Sequence, residues 1–193
     1  MFYNSKQRKR SLNANEEYLK VVDVVAKYSV HYPLTKFTCK RVEDKKTDVS
    51  THSLDRPAAL MASQSEEDQD PMKVIEELNN VRAEIIKRHY GQTVIGKQGE
   101  LLTLVKFWDV LNMGVNLFLT KPNTVQAKKN TLLLFANNRL VESTSIKKVI
   151  DQAYSIVQPQ GGSSYFCYMA LSVRPDLIDV NVHPTKKQVI IER

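Results

Sequence analysis

Ile178-Asp179-Val180-Asn181-Val182-His183-Pro184-Thr185-Lys186 alternates apolar and polar side chains until it meets a proline. Ile178, Val180 and Val182 share one side and Asp179, Asn181 and His183 the other, the period of two expected of a half-buried strand. Pro184 has no backbone donor and a fixed φ, so the ladder stops there and the following residues are presented on a loop at the sheet edge. Lys186 sits on that loop, a mobile point charge with three donors, suited to an anionic oxygen such as a terminal phosphate. From spacing alone, a solvated lysine in a hairpin is the commoner case. His183 reads as a side chain locking its turn rather than as a catalyst.

Working back from this strand, Leu132 to Phe135 is an apolar run with the composition of a strand buried on both faces, and Asn137 and Arg139 follow its C-terminal end. Ser143 or Thr144 can cap the next helix, in which Ile146, Val149, Ile150, Ala153, Tyr154 and Val157 make an amphipathic stripe that stops by Pro159. Gly161-Gly162 leads into a strand over Tyr165 to Val173, and Arg174-Pro175-Asp176 turns the chain into the opening stretch. The order is strand, helix, strand, strand.

In the first half, Asn15 is positioned to cap a helix with Glu16 and Glu17 in its first turn and an apolar stripe of Tyr18, Val21, Val22 and Val25, ending near Lys27. Ser29 to His31 and Lys36 to Arg41 read as strands either side of a turn at Pro33. Residues 43–69 are poor in large apolar groups, which predicts a mobile insertion. Asp70-Pro71 then supplies an N-cap and a first-turn proline for a helix with Val74, Leu78, Val81 and Ile85 on one stripe and a left-handed stop at Gly91. Gly91 to Gln98 nearly matches a phosphate-binding G-x-x-x-x-G-K-[ST] loop. Gln98 replaces the magnesium-binding hydroxyl, a helix precedes it, and the strand-like Leu101 to Trp108 follows it, so we reject that reading. A hairpin through Gly96 to Gly99 fits better, with Thr93 to Ile95 as strand formers. Leu101 to Trp108 and Val115 to Thr120 read as strands joined around Asn112-Met113-Gly114. The expectation is an α+β layer of mostly antiparallel strands with helices on one side.

At 193 residues the chain can bury one sizeable core, and 42% hydrophobic with 25% charged residues is ordinary for a soluble protein. Its apolar runs are too short for a membrane span, and no membrane partner is expected. Cys39 and Cys167 are isolated thiols, and His31, His52, His89 and His183 lack ligand spacing, so no metal site is indicated. HExxH, GxGxxG and nucleophile-elbow motifs are missing, which argues against catalysis by these residues alone. A net charge of +7 suits a polyanion such as nucleic acid. The basic clusters, around Arg8, Lys9 and Arg10, at Lys128 and Lys129, and at Lys147 and Lys148, are each either solvated faces or phosphate-binding surfaces. Both ends fall among apolar residues, which reads as a piece cut from a longer protein.

Asp179 to Lys186 and Phe135-Ala136-Asn137-Asn138-Arg139-Leu140-Val141-Glu142-Ser143-Thr144 resemble the second domain of the MutL family of DNA mismatch repair ATPases, in wording closest to the eukaryotic MutL homolog 1 branch. Phe2-Tyr3-Asn4 with Arg8, Lys9 and Arg10, and Lys27-Tyr28-Ser29-Val30-His31, extend the resemblance over most of the chain. It implies an α+β, ribosomal protein S5 domain 2-like transducer domain of a GHKL-type ATPase, with residues 1–12 as the end of an upstream ATPase domain or connector and 13–193 as the transducer. It further implies that Lys186 contacts the γ-phosphate of ATP held, with Mg2+, by the upstream domain. Lys187 and Gln188 depart from the family's usual wording and leave open whether Lys186 or Lys187 makes that contact. Arg8, Lys9, Arg10, Arg139, Lys147 and Lys148 become candidate contacts to double- or single-stranded DNA, with Asn137, Asn181, His183 and Pro184 structural at the site. Asn137 and Arg139 are open to a purely structural reading as well. The implied partners are a second, PMS-type MutL subunit and a MutS-family mismatch-recognition complex, in the nucleus. The alternative is a stand-alone basic nucleic-acid-binding or protein-interaction module without nucleotide coupling.

Overall fold

Five strands lying between Leu101 and Ser172 join in one mixed sheet, the frame on which the helices pack. The computed structural model describes residues 4–10, 12–42, 46–51, 71–95, 101–122, 130–157, 164–175, 178–179 and 190–191. In chain order these form α1 (Lys6–Arg10), α2 (Ala14–His31), β1 (Thr38–Lys40), β2 (Thr47–Ser50), α3 (Pro71–Tyr90), α4 (Gln92–Ile95), β3 (Leu101–Trp108), a 3-10 turn (Asp109–Leu111), β4 (Met113–Thr120), β5 (Thr131–Ala136), β6 (Arg139–Val141), α5 (Thr144–Val157), β7 (Phe166–Ser172), β8 (Ile178–Asp179) and β9 (Ile190–Ile191). The large sheet has the order β3-β4-β7-β5-β6. All its neighbours are antiparallel except β5 and β7, whose parallel pairing requires the crossover that contains α5.

The alternation of side chains sorts two apolar layers. Phe118, Leu133, Phe135, Phe166 and Tyr168 pack with Val30 of α2 and Val81, Ile85 and Ile86 of α3. On the opposite face Leu117, Leu119, Leu132 and Cys167 meet Ile150 and Tyr154 of α5. The one-sided layer expected of the first half therefore holds for α2 and α3, while α5 covers the other face. Strands β5 and β7 are apolar on both faces because both faces are covered.

Several elements depart from the sequence expectations. The α2 cap is Asn13, not Asn15: its side-chain oxygen accepts the Asn15 N–H at 3.1 Å. The helix continues to His31, so Ser29 to His31 are its buried last turn rather than a strand. Tertiary burial has overridden the strand-forming preference of Val30. Thr93 to Ile95 lie in α4, not in a strand, and Val94 joins the core there; three apolar-leaning residues are too few for periodicity to decide. Thr47–Ser50, inside the expected mobile insertion, form β2, paired to β1 with Cys39 opposite Val49. Its anchors are long-range and leave no compositional trace. The Arg88 guanidinium donates to the Ser50 carbonyl at 3.0 Å, and the Tyr18 hydroxyl donates to Asp48 at 2.5 Å. Residues 43–45 and 52–69 of that insertion, and the 96–99 hairpin, lie outside the described residues.

Other expectations match. Helix α3 starts at Pro71 and stops before Gly91, whose φ is 94°. Strands β3 and β4 pair along their whole length through a turn closed by left-handed Asn112. Ser143 caps α5, its hydroxyl accepting the Ile146 N–H at 3.3 Å.

Candidate functional site

The site begins at a two-residue turn. Ala136 of β5 pairs with Arg139 of β6, and the residues between them, Asn137 and Asn138, have φ of 45° and 65°. Consecutive left-handed residues match the right-handed twist of a hairpin, and asparagine tolerates that region because its short side chain can bond locally. Here the side chains bond at long range instead. Asn137 Oδ1 accepts the Val173 N–H at 2.9 Å, and its Nδ2 donates to the Val173 carbonyl at 2.8 Å. Its backbone N–H donates to the Leu171 carbonyl at 2.9 Å. The amide thus continues the β5–β7 ladder one residue past the strand end, fixing the chain where it leaves toward β8.

Asn138 reaches the other way. Its Oδ1 lies 3.0 Å from His31 Nε2, and His31 Nδ1 lies 2.9 Å from the Tyr168 hydroxyl. An amide oxygen only accepts, so Nε2 carries the proton and Nδ1 accepts from Tyr168. The imidazole stacks on Phe135 with centroids 4.0 Å apart and planes 9° apart. Desolvation holds the His31 pKa below its ordinary value; the Asn138 bond opposes this and the Arg82 charge adds to it. Arg82 is buried on α3, donating from Nε to the Val30 carbonyl at 3.0 Å and from Nη1 to Asn79 at 2.9 Å. Its guanidinium stands 4.9 Å from the Tyr168 ring centroid and 5.3 Å from that of Phe118. The Tyr28 hydroxyl completes the join, accepting the Leu140 N–H at 3.3 Å. Between this network and β3 the sheet opens into a cleft of about 390 Å³, lined by Val105, Phe107, Asn116, Asn137, Asn138 and Ser172 among others.

The basic residues divide. Arg139, Lys147 and Lys148 are exposed. Arg139 lies opposite Ala136, which shares an apolar cluster with Ile146, the residue before Lys147, so all three belong to the α5 side of the sheet at the Asn137 end. Arg10 is exposed on α1, which forms no extended packing with another element; the side chains of Arg8 and Lys9 lie outside the described residues. Among the described residues α1 has no extended packing against β6, the strand of Arg139. Asn181, His183, Pro184, Lys186 and Lys187 are also outside the described residues. The strands flanking them are described: Ile178 pairs with Ile191 and Asp179 with Ile190, antiparallel. Residues 180–189 therefore join two registered strand ends.

Among the described residues, no group of three or more His, Cys, Asp or Glu side chains is placed to hold a metal ion, and no helix is long and apolar enough to cross a membrane. Burial pushes the Cys167 thiol up to about 12, making it inert. His31, Arg82 and Tyr168 escaped the sequence reading as a unit. An arginine directly beside Val81, within the apolar stripe of α3, was the one available signal.

Residues 87–193 match the family described as DNA mismatch repair protein, C-terminal domain. The chain is 30% identical over 190 residues to the putative MutL protein homolog 1 of Schizosaccharomyces pombe, covering 98% of this chain and 24% of that protein. It is 28% identical over 190 residues to the DNA mismatch repair protein MLH1 of Saccharomyces cerevisiae, covering 98% and 21%. With MutL of Staphylococcus aureus it shares 24% over 194 residues. The chain thus spans roughly a quarter or less of the length of these relatives. A crystal structure of the N-terminal domain of a DNA repair protein matches with a TM-score of 0.55 at 16% identity, covering 100% of this chain and 54% of that one, a likeness of fold.

Proposed function

This chain belongs to the MutL family of DNA mismatch repair proteins, and from that premise we propose that it serves mismatch repair as the transducer of a GHKL-type ATPase. Its mixed sheet with helix layers is the S5 domain 2-like fold of that transducer. In this reading residues 1–12 end an upstream ATPase domain or connector, and that upstream region binds ATP and Mg2+. Lys186, or its neighbour Lys187, delivers a positive charge to the γ-phosphate.

The observation that carries the reading is the path of the chain after β7. Asn137 clasps Val173, and within a few residues the chain enters a strand whose partner, β9, returns in register. Lys186 and Lys187 fall, in sequence, between these two strand ends. Within about 4 Å of a phosphate oxygen in a partly dry cleft, such a charge gains about 4 kcal/mol at an effective dielectric of 20. That is enough to bias two domain orientations strongly by nucleotide state. The exposed Arg139, Lys147 and Lys148, with Arg8, Lys9 and Arg10, supply backbone contacts to DNA, which position without reading sequence. The same exposed charges favour a second reading, a basic nucleic-acid-binding module without nucleotide coupling. A PMS-type second subunit, a MutS-family complex and nuclear residence complete the first reading.

The test is ATP turnover by the full-length protein carrying Lys186→Ala or Lys187→Ala. A large loss confined to one variant identifies the γ-phosphate contact. Unchanged turnover in both sinks the nucleotide reading and leaves the DNA-binding module, whose signature is steep salt dependence.

A further inference from the structure

Strand β3 ends the large sheet on the side away from β6, and the two edges are built differently. β6 has three residues, too short to template another strand. β3 has eight, each paired to β4 without a bulge, so a row of outward backbone donors and acceptors about 26 Å long faces away from the sheet. Among the described residues no strand pairs with that row. Leu102, Leu104, Val105 and Phe107 are between 45% and 56% exposed along it. Leu102 and Leu104 stand on the α5 side, opposite Leu119 and Leu117, and Val105 and Phe107 on the other, opposite Asn116 and Gly114.

Natural edge strands are normally blunted by proline, a bulge or an outstanding charge. Leu101 to Trp108 contains no proline and one charge, Lys106. Even that charge is engaged: Lys106 Nζ lies 5.1 Å from the centroid of the Trp108 ring, drawn along the strand's face by a cation–π contact. Among the described residues the edge is unpaired, and it is apolar on both faces.

We propose that β3 is a pairing edge for a second copy of this chain, joining two five-stranded sheets antiparallel about a two-fold axis. The sequence of β3 is self-complementary in this arrangement. Opposed residues must share a face, so the axis runs through a residue pairing with itself, Leu104 or Val105. About Leu104, the second copy's Lys106 falls opposite Leu102, its Phe107 opposite Leu101 and its Val105 opposite Thr103. About Val105, its Lys106 falls opposite Leu104 and its Trp108 opposite Leu102. In both registers exposed apolar side chains gain apolar neighbours, the lysine stem lies along a leucine, and no like charges meet. This pairing is independent of nucleotide coupling.

The test uses sedimentation of the chain across a concentration series, together with Leu104→Cys and Val105→Cys under mild oxidation. The native thiols interfere little, Cys167 being buried and Cys39 half-buried. Expected are a concentration-dependent dimer, a disulfide-linked dimer from the variant on the axis, and a control, Val110→Cys on the neighbouring turn, that cross-links far less. Leu104→Lys, at an exposed site the fold tolerates, places like charges near the axis and raises the dimer dissociation constant roughly tenfold. A monomer at every concentration overturns the proposal, whether or not the edge then captures an extended peptide from another protein. So does a dimer indifferent to Leu104→Lys with neither cysteine exceeding the Val110→Cys control, since the copies would then meet elsewhere.

Discussion

His31 Nε2 lies 3.0 Å from Asn138 Oδ1, joining the last residue of α2 to the β5–β6 turn across 107 positions of chain. The bond unites two stretches, Lys27 to His31 and Phe135 to Thr144, that each carry the likeness to MutL proteins. Neither side chain is spare: Asn138 must hold a left-handed backbone, and His31 must fill the space between Phe135 and Tyr168. Asn138→Gly keeps the turn and removes the bond, and the expected loss of stability in urea is about 1–2 kcal/mol. Asn138→Val adds left-handed strain and costs about 1–3 kcal/mol more. A double-mutant cycle with His31→Ala gives a coupling clearly different from zero if the two act together, and additivity if they do not.

The same histidine makes stability depend on pH. Its folded-state pKa is depressed, first by desolvation, and His89, bonded to Ser29 at 2.9 Å, is depressed by the same cause with help from Arg88. The unfolded chain therefore binds more protons than the folded one just below the ordinary histidine pKa of about 6.5. The stabilising contribution is complete above that value and is lost as pH falls through it toward the folded pKa values. Urea midpoints should drop between about pH 7.5 and about pH 5.5, and His31→Gln should remove part of the drop, His89 carrying the remainder.

Arg82 tunes that histidine from α3. Replacing a buried guanidinium leaves the Val30 carbonyl and Asn79 without their donors, so Arg82→Ala should cost about 3 kcal/mol or more, and the volume-conserving Arg82→Met less. Because the Arg82 charge lowers the His31 pKa, Arg82→Met should raise it, visible as a move to higher pH of the midpoint at which the His31 ring resonances titrate. An unmoved titration would mean that the charge is screened from the imidazole.

What the sequence disclosed follows the reach of each signal. Helix α3 was legible because Asp70-Pro71 and Gly91 punctuate it locally, and β3 and β4 because each is a long strand-forming run. Ser29 to His31 was misread because its helical state rests on burial against β5 and β7, partners more than a hundred residues away. β2 was hidden for the same reason, Arg88 and Tyr18 supplying anchors that its own composition lacks. β6 is too short for any period to show, and the network around His31 is visible only after three distant segments have come together. The stripe of α5 was read too broadly, since Val149 is 64% exposed while Ile150 and Tyr154 carry the packing.

Asn137 tests whether the clasp on Val173 serves the strand end alone. Asn137→Asp keeps the acceptor for the Val173 N–H but turns the other bond, to the Val173 carbonyl, into a repulsion between oxygens. Stability should fall by about 1–3 kcal/mol, and Asn137→Gly, which satisfies the turn but makes neither side-chain bond, should fall within the same range. If the clasp also sets the path toward β8, amide exchange at Ile178 and Asp179 should quicken in both variants more than at β3, which is remote from the turn in strand order. Uniform quickening would make Asn137 a contributor to global stability only.

Arg139, Lys147 and Lys148 separate the binding surface from the scaffold. All three are exposed, and truncating them to alanine should leave stability within about 0.5 kcal/mol. If each contacts a phosphate of duplex DNA, each alanine should reduce the slope of log affinity against log salt by about 0.9, so that the triple variant loses about 2.7, evenly across DNA sequences. The placement argued from Ala136 and Ile146 makes these three one surface, so their losses should accumulate on a single binding mode. Should the slope stay constant while α1 substitutions at Lys6 and Arg10 reduce it, DNA runs along α1 instead and the α5 side is a solvated face.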